Sequence, residues 1–259
     1  MLRLGSVVEF GFGPNTGGIS LMYSYLLDKY NVGFAYNILV NHVGDDLEEQ
    51  AIRMQKKQVG INVRHILPSG FSDLDPKEKN SIFSEIIYEA LIRLAKNDHL
   101  VDLEKLKSVK REIIECDYCV IVPYKKYLSA KNSKLSASIF IQPSVSQFDF
   151  FLSVEEAEKE LCKKLIYSGL TTNFYFDDLF FNGRWKNKDH FIVSGKRSEI
   201  EIHLLIDNCE LQYVNKNKDM SKAPVFELFK AEANKKDALR DYLHSLNPGI
   251  AAIIMQSLN

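Results

Sequence analysis

Between Ser6 and Asp46 the chain reads as strand, glycine-rich turn, helix, strand and turn, and a βαβ unit of this kind commits its neighbours to a sheet covered by helices. Val7, Val8 and Phe10 form a short apolar run that breaks at Gly11, Gly13, Pro14, Gly17 and Gly18, residues that favour tight turning over regular structure. With Asn15 or Thr16 as N-cap, Ile19, Met22, Tyr23, Leu26, Leu27 and Tyr30 follow at the spacing of one helical face. Unpaired backbone N–H groups at such a helix start can hold phosphate or carboxylate, so Gly11, Gly13, Asn15, Thr16, Gly17 and Gly18 are the candidate ligand-binding loop. The spacing is neither GxxxxGK[ST] nor GxGxxG, and close packing of strand on helix accounts for the same glycines.

In the strand Phe34–Val43, Phe34, Tyr36, Ile38, Val40 and His42 share one face, and Asn37 and Asn41 fall on the mixed face, where they could line a polar pocket near His42 or equally be solvated edge positions. The spacing predicts a helix from about Asp45, with Asp45, Asp46, Glu48 and Glu49 at its positive end and Leu47, Ala51 and Met54 as a thin apolar stripe. A third strand is expected over Val59–Leu67. Gly17-Gly18, Gly44-Asp45-Asp46 and Gly60-Ile61-Asn62 resemble the GG, GDD and GVD landmarks of the amino-terminal half of the ribokinase-like sugar kinases, over the first quarter of the chain. That family has a GAGD anion-hole motif with its catalytic aspartate in the carboxy-terminal half. Here Gly169, Gly183, Gly195 and Gly249 stand in no such context, and the Asn expected soon after GG is missing, so no catalytic residue is carried across.

A chain of 259 residues fits one large domain or two small ones; a division near residue 150 gives an α/β part, 1–150, and an α+β part, 151–259. Lys+Arg of 33 against Asp+Glu of 34 leaves a net charge of -1, without the global basic field that nucleic acid or anionic membrane attracts. Lys125, Lys126, Lys131 and Lys134, read as a basic loop, are the local exception: they could touch phosphate or simply be solvated. No charged-then-apolar leader is evident and no apolar run approaches the roughly 20 residues of a spanning helix, so a cytosolic protein is expected. Cys116 and Cys119 have CxxC spacing but run into Val120-Ile121-Val122, which places them on a strand; with Cys162 and Cys209 scattered, reduced and mostly buried thiols are expected, with no metal and no cofactor.

Residues 71–80 read as a polar loop and internal break, followed by an antiparallel helix pair, Ser81–Lys96 and Asp102–Glu115. Strands are expected at Cys119–Pro123 and Ala137–Ile141. Ser153-Val154-Glu155-Glu156 has the form of a capping box, and Val154, Ala157, Leu161 and Leu165 continue it as a helix. From Thr171 to Val214, aromatic and β-branched segments joined by Asn182-Gly183 and Ser194-Gly195 predict antiparallel strands with hairpin turns at those pairs. Asp177, Asp178, His190, Glu201 and His203 form the acid and histidine set available for catalysis, with Glu201 and His203 alternating on an exposed strand face as the simpler reading.

After Pro224 one or two helices are expected. The apolar stripe Ile250, Ile253, Ile254 and Leu258 is expected to dock on this chain's own core or on a partner. The fold class is therefore α/β, with α+β the alternative: a βαβαβ amino-terminal part, then an antiparallel, aromatic-rich part and terminal helices. Two functions fit. One is a non-catalytic protein-binding or scaffold subunit of a cytosolic multi-protein complex, a bacterial immunity or defence accessory protein being one example. The other is an enzyme or binder for a phosphorylated or nucleotide-like ligand at residues 11–18.

Overall fold

The computed structural model describes residues 2–6, 16–44, 51–55, 57–132, 134–145, 147–170, 180–195 and 200–216. The chain divides into two compact units, residues 1–122 with 142–148 and 170–172, and residues 123–141 with 149–169 and 173–259.

The first unit carries a four-stranded sheet in which β1 (Leu2–Ser6), β2 (Asn37–His42) and β4 (Gln58–Val63) run parallel, and β3 (Ala51–Gln55) lies antiparallel beyond β4. Parallel neighbours need a crossover, and α1 (Gly17–Lys29) spans it between β1 and β2. The helical face expected from the sequence is the buried one, Ile19, Met22, Tyr23, Leu26 and Leu27. Tyr23 donates its hydroxyl to the Ser84 carbonyl at 3.1 Å, so its buried oxygen is paired. The strand residues Ile38, Val40, Ile61 and Val63 share one core with Leu26, Phe83, Leu91, Leu106 and Val109 of the helices.

The helix expected from Asp45 through Ala51 and Met54 is corrected. Residues 45–50 lie outside the described residues, and Ala51–Gln55 is a strand paired with β4. With β2 on one side of β4, the other edge would present unpaired N–H and C=O groups, and satisfying that ladder outweighs a thin helical stripe.

The break expected at residues 71–80 is also corrected, because α2 (Pro76–Ala95) begins inside it. Asp75 accepts from the Glu78 backbone at 2.8 Å, Glu78 returns a bond to the Asp75 N–H at 3.1 Å, and Pro76 takes the first helical position. Asp102 caps α3 (Leu103–Glu115) with its side chain alone, accepting from the Glu104 and Lys105 N–H groups at 3.0 and 3.1 Å.

Centred on the second unit are two four-stranded sheets: β5 (Val122–Leu128), β6 (Leu135–Pro143), β7 (Gln147–Glu156) and β8 (Lys159–Leu170) in one, and β9 (Asn182–Asn187), β10 (His190–Ser194), β11 (Ile200–Leu205) and β12 (Glu210–Asn215) in the other, each in chain order. The helix expected at Ser153 is a β-hairpin. Phe148, Phe150, Leu152 and Val154 are wholly buried at every second position, a period of two that a helix cannot satisfy. Ala157 and Glu158, with φ of 50° and 68°, form the two-residue turn in which both central residues are left-handed. Ser153 donates across the hairpin to Glu160 at 3.3 Å instead of capping.

In the other sheet the β9–β10 turn is Lys188-Asp189, so Asn182-Gly183 opens β9 where a hairpin turn was expected. Asn187 accepts from the Asp189 N–H at 2.9 Å, and this local bond stabilises the turn.

The described fold is thus mixed α/β, with a βαβ amino-terminal part and an antiparallel, aromatic-rich later part. The helices expected after Pro224 and the stripe Ile250, Ile253, Ile254 and Leu258 lie outside the described residues. Among the described residues no helix is long and apolar enough to cross a membrane.

Candidate functional site

The register of β10 on β11 sets Ser194 opposite Glu201, Ile192 opposite His203 and His190 opposite Leu205. Residues two apart share a strand face, so Glu201, His203 and His190 stand on one face, and β9 adds Arg184 opposite Ile192. Arg184 Nη2 donates to Glu201 Oε1 at 3.0 Å, His203 Nε2 lies 3.0 Å from Glu201 Oε2, and His203 Nδ1 lies 3.1 Å from His190 Nε2. Lys216 Nζ is 3.7 Å from the same carboxylate. The exposed Glu-His face expected from the sequence is therefore corrected: Glu201 is 4% exposed, and Ile192 and Ser194 beside it are buried too.

Burial pushes the Glu201 carboxyl up, but hydrogen bonds from His203 and Arg184 outweigh it, and the group is held below the usual carboxylate range. An ionised Glu201 can only accept, which makes His203 Nε2 the donor. In the neutral rings His203 Nδ1 then accepts from His190 Nε2, and Nδ1 of His190 is where the next proton adds. A second added proton would set two N–H groups face to face across the 3.1 Å contact. His190 itself is held below its ordinary value, first by burial and then by its neighbours His203, Lys186 and Arg184, which disfavour a positive charge there.

His190 also lines an open cleft of about 440 Å³ with Asn187, Asp189, Leu205, Asp207 and Asn208. None of these side chains carries a hydroxyl or thiol nucleophile. What the arrangement offers is a carboxylate-oriented imidazole pair that can exchange one proton with the cleft.

His190 stays neutral in the fold below 6.5, where the unfolded chain protonates, so stability falls as pH drops through that value. Glu201 contributes stability that is present above 4.5 and lost as pH falls through its lower folded value. The melting temperature should decline from pH 7.5 to pH 5.5, and His190→Gln should flatten that limb; an equal decline in the variant would remove His190 as its source.

Of the candidate loop, Gly11, Gly13 and Asn15 lie outside the described residues, as do Asp177 and Asp178. Thr16 takes the N-cap position, but its side chain makes no capping hydrogen bond. A Cβ on Gly18 would stand 2.0 Å from the Ser144 carbonyl oxygen, so at this position the glycine is needed for a close backbone approach. On β2, Asn41 donates to Asn62 at 3.2 Å and buried His42 bonds the His65 carbonyl at 2.8 Å. Both asparagine side chains and this imidazole are thus engaged within the sheet end.

The four lysines are not one loop. Lys125 and Lys126 belong to β5, Lys131 and Lys134 to the turn after it, and Lys125 Nζ donates to the Phe181 carbonyl at 3.0 Å. The expectation of reduced, buried cysteines is overturned. Cys162 and Cys209 form a disulfide, whereas Cys116 and Cys119 are exposed thiols in the turn after α3. Pairing across 47 residues depends on which strand ends meet, and spacing alone does not carry that.

Sequence reasoning missed Arg184, Asp189 and Asp207. A hairpin turn placed at Lys188-Asp189 would have put Arg184 and Asn187 beside β10. Comparison with known protein families, with curated proteins and with solved structures finds no match to this chain.

Proposed function

We propose that the chain is a protein-binding subunit of a multi-protein complex, and that its partner pairs along β8. The observation carrying this reading is the edge of that strand. Among the described residues β8 has a sheet neighbour on one side only, it runs 12 residues, and it leaves Leu161 and Leu165 43% and 39% exposed. Lys159, Lys163 and Lys164 around them are exposed as well.

Natural sheets blunt long edges, and lysines are one means of doing so. Here they repel a second copy of the same edge, while an extended segment carrying both apolar and acidic residues on one face would find both its contacts and its counter-charges. In such strand addition the main chain supplies affinity and alternate side chains supply specificity.

The test is purification with the products of neighbouring genes, alongside a thermal-shift panel of nucleotides and sugar phosphates. The double variant Leu161→Glu/Leu165→Glu should weaken a co-purifying partner roughly tenfold or more without lowering the melting temperature. A partner held equally by the variant would remove β8 as the docking edge.

A second reading, acid–base chemistry on a small molecule in the His190 cleft, is favoured by the Glu201–His203–His190 chain. Stabilisation by a ligand of the panel that His190→Gln abolishes would move the assignment there, and stabilisation insensitive to that change would return it to the glycine loop. As for compartment, a cytosolic setting would keep Cys162 and Cys209 reduced, because disulfides persist in oxidising surroundings. The bonded pair favours an oxidising one.

A further inference from the structure

We infer that Cys116 and Cys119 are a reversible dithiol pair that exchanges with external disulfides. Both thiols are unbonded and exposed, and they close a tight turn in which the Cys119 N–H donates to the Cys116 carbonyl at 3.0 Å. The ends of such a turn lie within about 7 Å of each other between Cα atoms, a range that overlaps the span of a disulfide.

The turn is built at a conformational cost. Asp117 and Tyr118, neither of them glycine, have φ of 53° and 56°, and adjacent left-handed residues persist only where surrounding contacts hold them. Those contacts come from one face of α2: Lys77 pairs with Asp117 at 2.7 Å, and the Tyr118 hydroxyl bonds Ser81 at 3.0 Å. Gln142 Nε2 lies 3.5 Å from Cys119 Sγ and can donate to that sulfur when it carries charge. Cys162–Cys209 is the contrasting case, with Cys162 buried and the bond tying distant strands together.

The exchange runs in two displacements. Cys119 as thiolate attacks one sulfur of the external disulfide, forming a mixed disulfide and expelling one thiolate. Cys116 then attacks the Cys119 sulfur, closes the internal bond and expels the second. One external disulfide is reduced to two thiols for each pair oxidised.

Oxidised glutathione is the probe, applied to the full chain after mild reduction has left Cys116 and Cys119 as free thiols. The wild type should lose two free thiols and retain no glutathione, and the tryptic peptide between Arg111 and Lys125 should be lighter by two hydrogens. Cys116→Ser should stop at the mixed disulfide and keep one glutathione on Cys119, and dithiothreitol should restore the thiols in both proteins. Unchanged circular dichroism would show that the serine variant folds. Glutathione accumulating on both cysteines of the wild type, or thiols that do not react, would overturn the inference.

Discussion

Replacing Cys162 and Cys209 together by alanine should lower the unfolding free energy of the second unit by about 4 kcal/mol, the loop-closure value for a bridge spanning a sequence separation of 47. The bond joins β8 to the turn between β11 and β12. Tyr213 of β12 reinforces the same junction by donating to the Ile166 carbonyl at 2.9 Å. Without the covalent link, that hydrogen bond and its neighbours must close the loop unaided, and one hydrogen bond contributes only about 1 kcal/mol net. Urea unfolding of the wild type with and without dithiothreitol, beside the double variant, measures the effect. Reduced wild type and variant should share a midpoint well below that of the oxidised protein, and coincidence of all three would mean that the bond contributes nothing to folding.

What could be read in the sequence divides by the range of the interactions involved. α1 and α3 were legible because their apolar residues recur on one face over 13 residues each, a purely local pattern. The alternation of Glu201 and His203 likewise marked a strand, and Ile200, Ile202 and Leu204 on its other face are buried. Local signals misled where a partner strand decided. Ser153 to Glu156 has the letters of a capping box, but the phenylalanines before it set a period of two. Ala51 and Met54 suited a weak helical stripe, but the open edge of β4 recruited them as a strand.

The candidate site was legible as residue types and not as an arrangement. His190, Glu201 and His203 were named together, yet the burial of Glu201 and its bond to Arg184 follow from the register of three strands and from a turn one hairpin earlier than Ser194-Gly195. The disulfide was the least legible feature, since its two ends meet only once β8 and the β11–β12 turn are in place.

Truncating Phe150 to alanine should cost the second unit about 3–5 kcal/mol, the usual range for a large aromatic removed from a core. Phe150 is wholly buried, and its ring centroid lies 4.7 Å from Phe180, 5.9 Å from Tyr167 and 6.4 Å from Tyr124. Tyr167 and Phe180 also contact each other at 5.8 Å, so these two rings and Phe150 form a closed set of three. Close-packed rings of this kind relax only partly into a void, and each lost ring pair adds about 0.5–1.5 kcal/mol to the transfer term. Phe150→Leu retains most of the volume and should cost much less, which separates loss of packing from loss of aromatic geometry. Both are read from urea midpoints with the disulfide intact. A Phe150→Ala protein within about 1 kcal/mol of wild type would show that the ring cluster is not where the second unit draws its stability.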